Sequence, residues 1–152
     1  MINVNNMPSD VAAVVGVIDP DATAAGTVTT GWVEAADFSS LLAVVLAGTL
    51  GSSATVDAKI EQATDGSGTG AKDLSGSDIT QLTQAGSDSD KQALIQFRPD
   101  DLDVDNSFTH VRLSITVATA TSDAGGVLLG FGPRYAPASD SDASTVDEIV
   151  TV

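Results

Sequence analysis

In "THVRLSITVATAT", residues 109–121, apolar side chains fall at every second position: Val111, Leu113, Ile115 and Val117 alternate with His110, Arg112, Ser114 and Thr116. A period of two puts the first set on one face of a strand and the second on the other, so this segment predicts a strand with one dry and one wet side. The same pattern governs "TVDAKIEQA", where Val56, Ala58 and Ile60 oppose Asp57, Lys59 and Glu61. It returns in "KQALIQFRP" through Ala93, Ile95 and Phe97, until Pro99 ends it by lacking a ladder donor. In "GGVLLGFGPRY", Val127, Leu129 and Phe131 share one face, and Gly130 and Gly132 the other, where the absence of side chains predicts close packing.

Two further segments, "AAVVGVID" and "SLLAVVLAGTL", are apolar on both faces. Periodicity alone leaves the second open to a short helix as well as a strand covered on both sides; the neighbouring Thr, Val and Gly favour strand. Between the strands lie "DPDATAAG", "TDGSGTGAKD", "QAGSDSDK" and "TSDAGG", rich in residues that accept positive φ or bond their own backbone. About nine strands separated by such turns indicate an all-β, single-domain β-sandwich or jelly-roll-like barrel. One short helix is expected in "GSDITQLTQAG", capped by Ser77 or Asp78. The organisation expected is an N-terminal arm over residues 1–9, a β-sandwich over 10–137, and an acidic tether with a C-terminal arm over 138–152, the last ending in the apolar "VDEIVTV".

A chain of 152 residues is long enough to bury a core without cross-links. With no cysteine, disulfides, thiolate metal sites and cysteine nucleophiles are excluded. Six Lys and Arg against twenty-one Asp and Glu give a net charge of −15, which repels the phosphate backbone of nucleic acid and an anionic membrane, so neither is expected as a partner. The start, "MINVNNMPSD", has no basic region of a secretory signal, and the apolar run Leu41 to Leu50 is too short to span a bilayer. The expectation is a soluble protein made without export.

Few residues offer chemistry. Asp101, Asp103 and Asp105 alternate as the first ligands of a calcium loop do, which makes them the metal candidates. Counted from Asp101, however, position six is Asn106 instead of glycine and position twelve is Arg112 instead of glutamate. A solvated edge or loop, with Leu102 and Val104 inward and the aspartates in water, explains the alternation without an ion. His110, the only histidine, composes a triad with Asp105 and Ser107 on paper, but lacks the glycine-flanked turn that exposes a nucleophile; a surface or interface imidazole is the simpler reading. "DGSGTG", Asp65 to Gly70, lacks the following helix of a phosphate loop and reads as a hairpin tip. Trp32 is the only tryptophan in a chain with 4% aromatics, which suits a core or interface anchor better than a sugar platform. No catalytic residue and no cofactor are expected.

Taken together, "GWVEAADFSSLLAVVLAGTLGSSATVDAKIEQATDGSGTGAKDLSG", "SDKQALIQFRPDDLDVDNSFTHVRLSITV" and "LLGFGPRYAPAS" resemble small virion proteins of tailed bacteriophages, over about Asp19 to Ser139. The resemblance implies a capsid decoration, or cement, protein: made in the host cytoplasm, seated on the outer capsid surface, partnered by the major capsid protein and by its own copies as a homotrimer, without enzymatic activity. A head-completion, neck or tail protein is the alternative, and a small β-sandwich binding module comes last because no convergent polar site is visible. The interface candidates under this reading are Ile2 and Val4 in the N-terminal arm, Trp32 and His110, and Val146, Ile149 and Val150 in the C-terminal one.

Overall fold

The computed structural model describes residues 5–152, so Ile2 and Val4 lie outside the described residues. One turn of helix, α1 (Pro8–Val11), leads into ten strands: β1 (Ala12–Thr23), β2 (Gly26–Thr29), β3 (Val33–Glu34), β4 (Phe38–Ala47), β5 (Thr55–Ala63), β6 (Lys72–Asp73), β7 (Leu82–Thr83), β8 (Gln92–Phe97), β9 (His110–Ala118) and β10 (Ser122–Pro133). One sheet has the order β1-β10-β4-β8; the other has β2-β9-β5-β6, with β3 also on β9 and β7 also on β5. All pairings are antiparallel. Taking β2 with β3, and β6 with β7, each sheet is four strands wide and the two interleave in the order of a jelly roll. No helix among the described residues is long and apolar enough to cross a membrane.

The core follows from the alternation. Val56, Ala58 and Ile60 of β5 and Val111, Leu113, Ile115 and Val117 of β9 are buried from one sheet; Leu41, Ala43, Val45 and Ala47 of β4 and Ile95 and Phe97 of β8 meet them from the other. Both segments apolar on two faces are strands, β1 and β4. In β10, Val127, Leu129 and Phe131 share a face as the spacing predicts, while Gly126, Leu128 and Gly130 turn inward, with Leu128 fully buried. The inward glycines have a steric reason. A Cβ on Gly130 would lie 2.6 Å from the ring of Phe38, and one on Gly126 would lie 2.8 Å from Leu113. Side chains of the sandwich therefore fill the space that β10 leaves empty.

The helix expected in "GSDITQLTQAG" does not form. Its backbone bonds sideways to β5 instead of along its own axis: Ile79 N–H donates to the Ala58 carbonyl at 3.0 Å, and Leu82 and Thr83 pair with Val56 and Thr55. Ser77, expected as a cap, is buried and bonds Ile60 twice, accepting from its N–H at 3.0 Å and donating to its carbonyl at 3.2 Å. Lateral bonds to an existing strand satisfy the same donors that a helix would, with the hydroxyl supplying what the turn leaves over.

The acidic stretch after Pro137 is fastened down. Ala138 is buried, the 3-10 turn Ala138–Ser141 packs against α1, β1 and β10, and Val14 is bonded on both sides of its peptide. Its N–H donates to the Asp142 carboxylate at 2.7 Å, and its carbonyl accepts from Ala143 N–H at 2.6 Å. The outer edge of β1 is thereby engaged at Val14 from within the chain. Beyond Val146, Ile149, Val150 and Val152 stand exposed.

Candidate functional site

The aspartate run "RPDDLDVDN" forms two short 3-10 turns, Pro99–Asp101 and Val104–Asn106, in place of an extended edge. Leu102 is buried as its period predicts, but the second turn rotates Val104 outward to 58% exposure. The Asp101 carboxylate bends back to accept from Arg98 N–H at 2.7 Å. Asp103 takes the Lys72 ammonium and the Asn106 amide, the latter at 2.9 and 3.0 Å, and its own N–H donates to Gln62 Oε1 at 2.8 Å. Asp105 is exposed in the second turn. Each carboxylate thus has its own surroundings, and among the described residues no three His, Asp or Glu side chains converge where an ion could sit.

His110 opens β9 half-buried, with Nδ1 2.8 Å from Thr109 Oγ1. No hydrogen bond joins it to Asp105 or Ser107, so the paper triad is not assembled. Trp32 is half-buried. The Arg112 guanidinium lies 4.4 Å above its ring while Arg112 Nε donates to Glu61 Oε2 at 2.6 Å. The tip of the β5–β6 hairpin closes on the indole nitrogen: Gly68, at φ +82°, comes so near that a Cβ there would lie 2.5 Å from Nε1. A second stack repeats the arrangement, with Lys72 4.2 Å over Phe108 and paired to Asp103. Each cation is shared between a ring and a carboxylate, so this end of the sheet is a clasp holding the hairpin tip and the 3-10 turns to β5 and β9.

The clasp and the loops make the fold sensitive to acid. The Asp103 carboxyl is held below its ordinary 3.8 chiefly by the Lys72 hydrogen bond and then by Asn106. Asp88 is lowered by Lys91 and by Thr83 N–H, and Asp65 by its hydrogen bonds with Thr69. The unfolded chain binds these protons first, so the stabilisation is present above the ordinary value and lost as pH falls through the lower folded values. Thermal melts followed by circular dichroism are expected to show the melting temperature dropping once pH is below about 4. A level melting temperature through that range would contradict the assignment.

The surface that sequence reasoning missed is the outer face of the β1-β10-β4-β8 sheet. The register aligns Val17, Val127, Val44 and Leu94 in one row across all four strands, and Val14, Leu129, Leu42 and Gln96 in the next. Leu46 extends the patch beside Gly125. Leu94 is 65% exposed and Leu46 41%, and neither row contains a charged residue. The opposite sheet is different. Its outward positions include Asp57, Lys59 and Glu61 of β5 and Arg112 and Thr116 of β9, with Lys59 bound to Asp73 at 2.7 Å, while Ser114, expected on this wet face, is buried. The signal was present in "LLAVVLA", whose second apolar face has no covering layer among the described residues.

No protein-family model matches the sequence, and no curated protein matches it. Among solved structures, a chain of broad bean stain virus is 16% identical with a TM-score of 0.43, the match covering 100% of this chain and 99% of that one. A chain of infectious bursal disease virus, Gt strain, is 14% identical with a TM-score of 0.42 over 86% of this chain; this protein spans only about a third of its length, 34%. The C-terminal family 22 carbohydrate binding module of Clostridium thermocellum Xyn10B is 16% identical with a TM-score of 0.40, the match covering 85% of this chain and 89% of that one. A likeness that loose, shared by virus chains and a sugar-binding module, selects neither function.

Proposed function

We propose that this chain is a structural virion protein that decorates a tailed-phage capsid, binding its outer surface and bridging neighbouring major capsid subunits. One observation carries the reading: the sandwich is two-faced. In a chain with net charge −15, the middle rows of one sheet's outward face are uncharged and mostly apolar, bordered by Ser40, Gln92, Gln96 and, toward the start of β10, Asp123, while the other sheet bears carboxylates, ammoniums and hydroxyls. A contiguous apolar patch on a small acidic protein marks a surface meant to be covered. Seated apolar face down on a shell, the protein presents its charged sheet to solvent, and its acidity keeps free copies from associating indiscriminately. Holding two shell subunits under one patch adds contacts that must break before those subunits separate. The resemblance to phage virion proteins, carried by the segments around Trp32, Arg98 and Phe131, supports the same role.

The test is the copy number of this chain relative to the major shell subunit in purified particles, measured by quantitative mass spectrometry. Near-stoichiometric abundance is expected. A handful of copies per particle would replace the decoration role by a neck or tail position, and complete absence would overturn the virion reading.

A further inference from the structure

We infer that copies of this chain join head to tail, the segment after Val146 of one copy adding as a strand to the open edge of β8 in the next. The inference concerns copies of this chain alone and stands apart from the virion reading.

Three observations meet here. First, β8 is an unprotected edge. It pairs with β4 on one side, and on the other its backbone makes no hydrogen bond to any described residue. Its sequence, Gln92 to Phe97, contains no charge and no proline, its register with β4 is unbroken, and Leu94 stands exposed beside it. Edges of this kind template a further strand unless they are blunted. The matching edge of the same sheet, β1, is engaged at Val14 by the stretch after Pro137, and the outer strands of the other sheet are four residues long or shorter.

Second, the segment after Val146 has the composition of a strand without a partner. Ile149, Val150 and Val152 are exposed, and no strand is formed there. Third, the charges agree. Arg98 follows β8 directly and makes none of the ion pairs among the described residues, while Asp147 and Glu148 precede the apolar part of the segment. Antiparallel addition sets those carboxylates beside Arg98 and lays Ile149 and Val150 along β8 toward Gln92.

The same chain cannot fill its own edge. The segment leaves from outside β1, and the order β1-β10-β4-β8 places the far side of β8 five strand spacings away, about 24 Å at roughly 4.8 Å each. Six extended residues reach about 20 Å, which is used up before any of them lies along β8. The acceptor is therefore a second copy. A donor at one edge and an acceptor at the opposite edge make a heterologous contact, which closes into a ring when its rotation permits.

Sedimentation velocity of the full chain, without any shell protein, tests this at micromolar to sub-millimolar concentration. The native sequence is expected to form a closed oligomer. Ile149→Asp with Val150→Asp, both at exposed positions, is expected to weaken association on the order of a hundredfold or more with the fold intact by circular dichroism. Arg98→Glu alone is expected to weaken it about two- to fivefold, with recovery when Asp147→Lys and Glu148→Lys are added. The decisive mixture combines the Ile149→Asp/Val150→Asp chain, whose β8 is intact, with a Leu94→Lys/Arg98→Glu chain, whose segment is intact. These should form a one-to-one dimer that neither forms alone. A native chain that stays monomeric, an oligomer indifferent to the Ile149 and Val150 changes, or a mixture that does not pair would overturn the inference.

Discussion

Gly130→Ala is expected to cost about 1–3 kcal/mol of stability, a large effect for one methyl group. The Cβ would enter the Phe38 ring, whose nearest atoms lie 2.6 Å away, and Phe38, the first residue of β4, is itself buried in the core. The ring cannot retreat without opening the packing around it. Phe38→Ala removes the obstacle and leaves a cavity, costing about 3–5 kcal/mol. The double variant should fall short of the sum by about 1 kcal/mol or more, because the added methyl occupies part of the space that the ring vacates. Urea unfolding of the four proteins measures the coupling. Strict additivity would mean that the ring and the glycine do not depend on each other.

On the outer face of the same sheet, substitution should separate folding from attachment. Val44→Asp with Leu46→Asp places two carboxylates in the uncharged patch, where Leu46 is already 41% exposed. Covering such a face requires desolvating both charges, so attachment to particles lacking the native protein should fall on the order of a hundredfold or more. The free energy of unfolding should fall by about 1–2 kcal/mol, much less than the loss of attachment, Val44 being half-buried and Leu46 exposed. Thr27→Asp on the opposite sheet serves as the control and should leave attachment unchanged. Equal losses from both faces would count against a seat on the apolar one.

The dry and wet sides of β5 and β9 were legible because each strand is covered mainly on one side, so burial follows the period at most positions; Ser114 departs from it, lying on the wet side of the alternation yet buried at 2% exposure. The same rule misled at Val104, where Asp103 to Asp105 keep the alternation while the backbone turns, ending at Ser107 with φ +63°. Alternation over five residues does not distinguish a strand from two tight turns. The segment around Ser77 was misjudged for a different reason: its hydrogen-bond partners lie on β5, roughly twenty residues earlier, and local sequence carries no sign of them. The clasp was visible only as separate residues. Trp32, Arg112 and Glu61 come from three stretches of chain, and their stacking depends on β5 and β9 being neighbours. The two-sided apolarity of β4 was plain, but which side would lack a cover depended on the order of strands.

The pairing of β1 with β10 has a consequence for how the chain comes to be folded. Ala13 sits opposite Gly130, so the first long strand has no partner in its sheet until more than a hundred residues have followed it, β10 being residues 122–133. Closing so long a loop before any contact rewards it is slow, and sandwiches of this connectivity fold in roughly milliseconds to seconds. During synthesis β1 must wait as an uncovered apolar segment, while the apolar face of β4 waits beside it. The excess of carboxylates distributed along the chain acts in that interval as well. Mutual repulsion between nascent copies keeps them apart until the last strand arrives and completes the sheet.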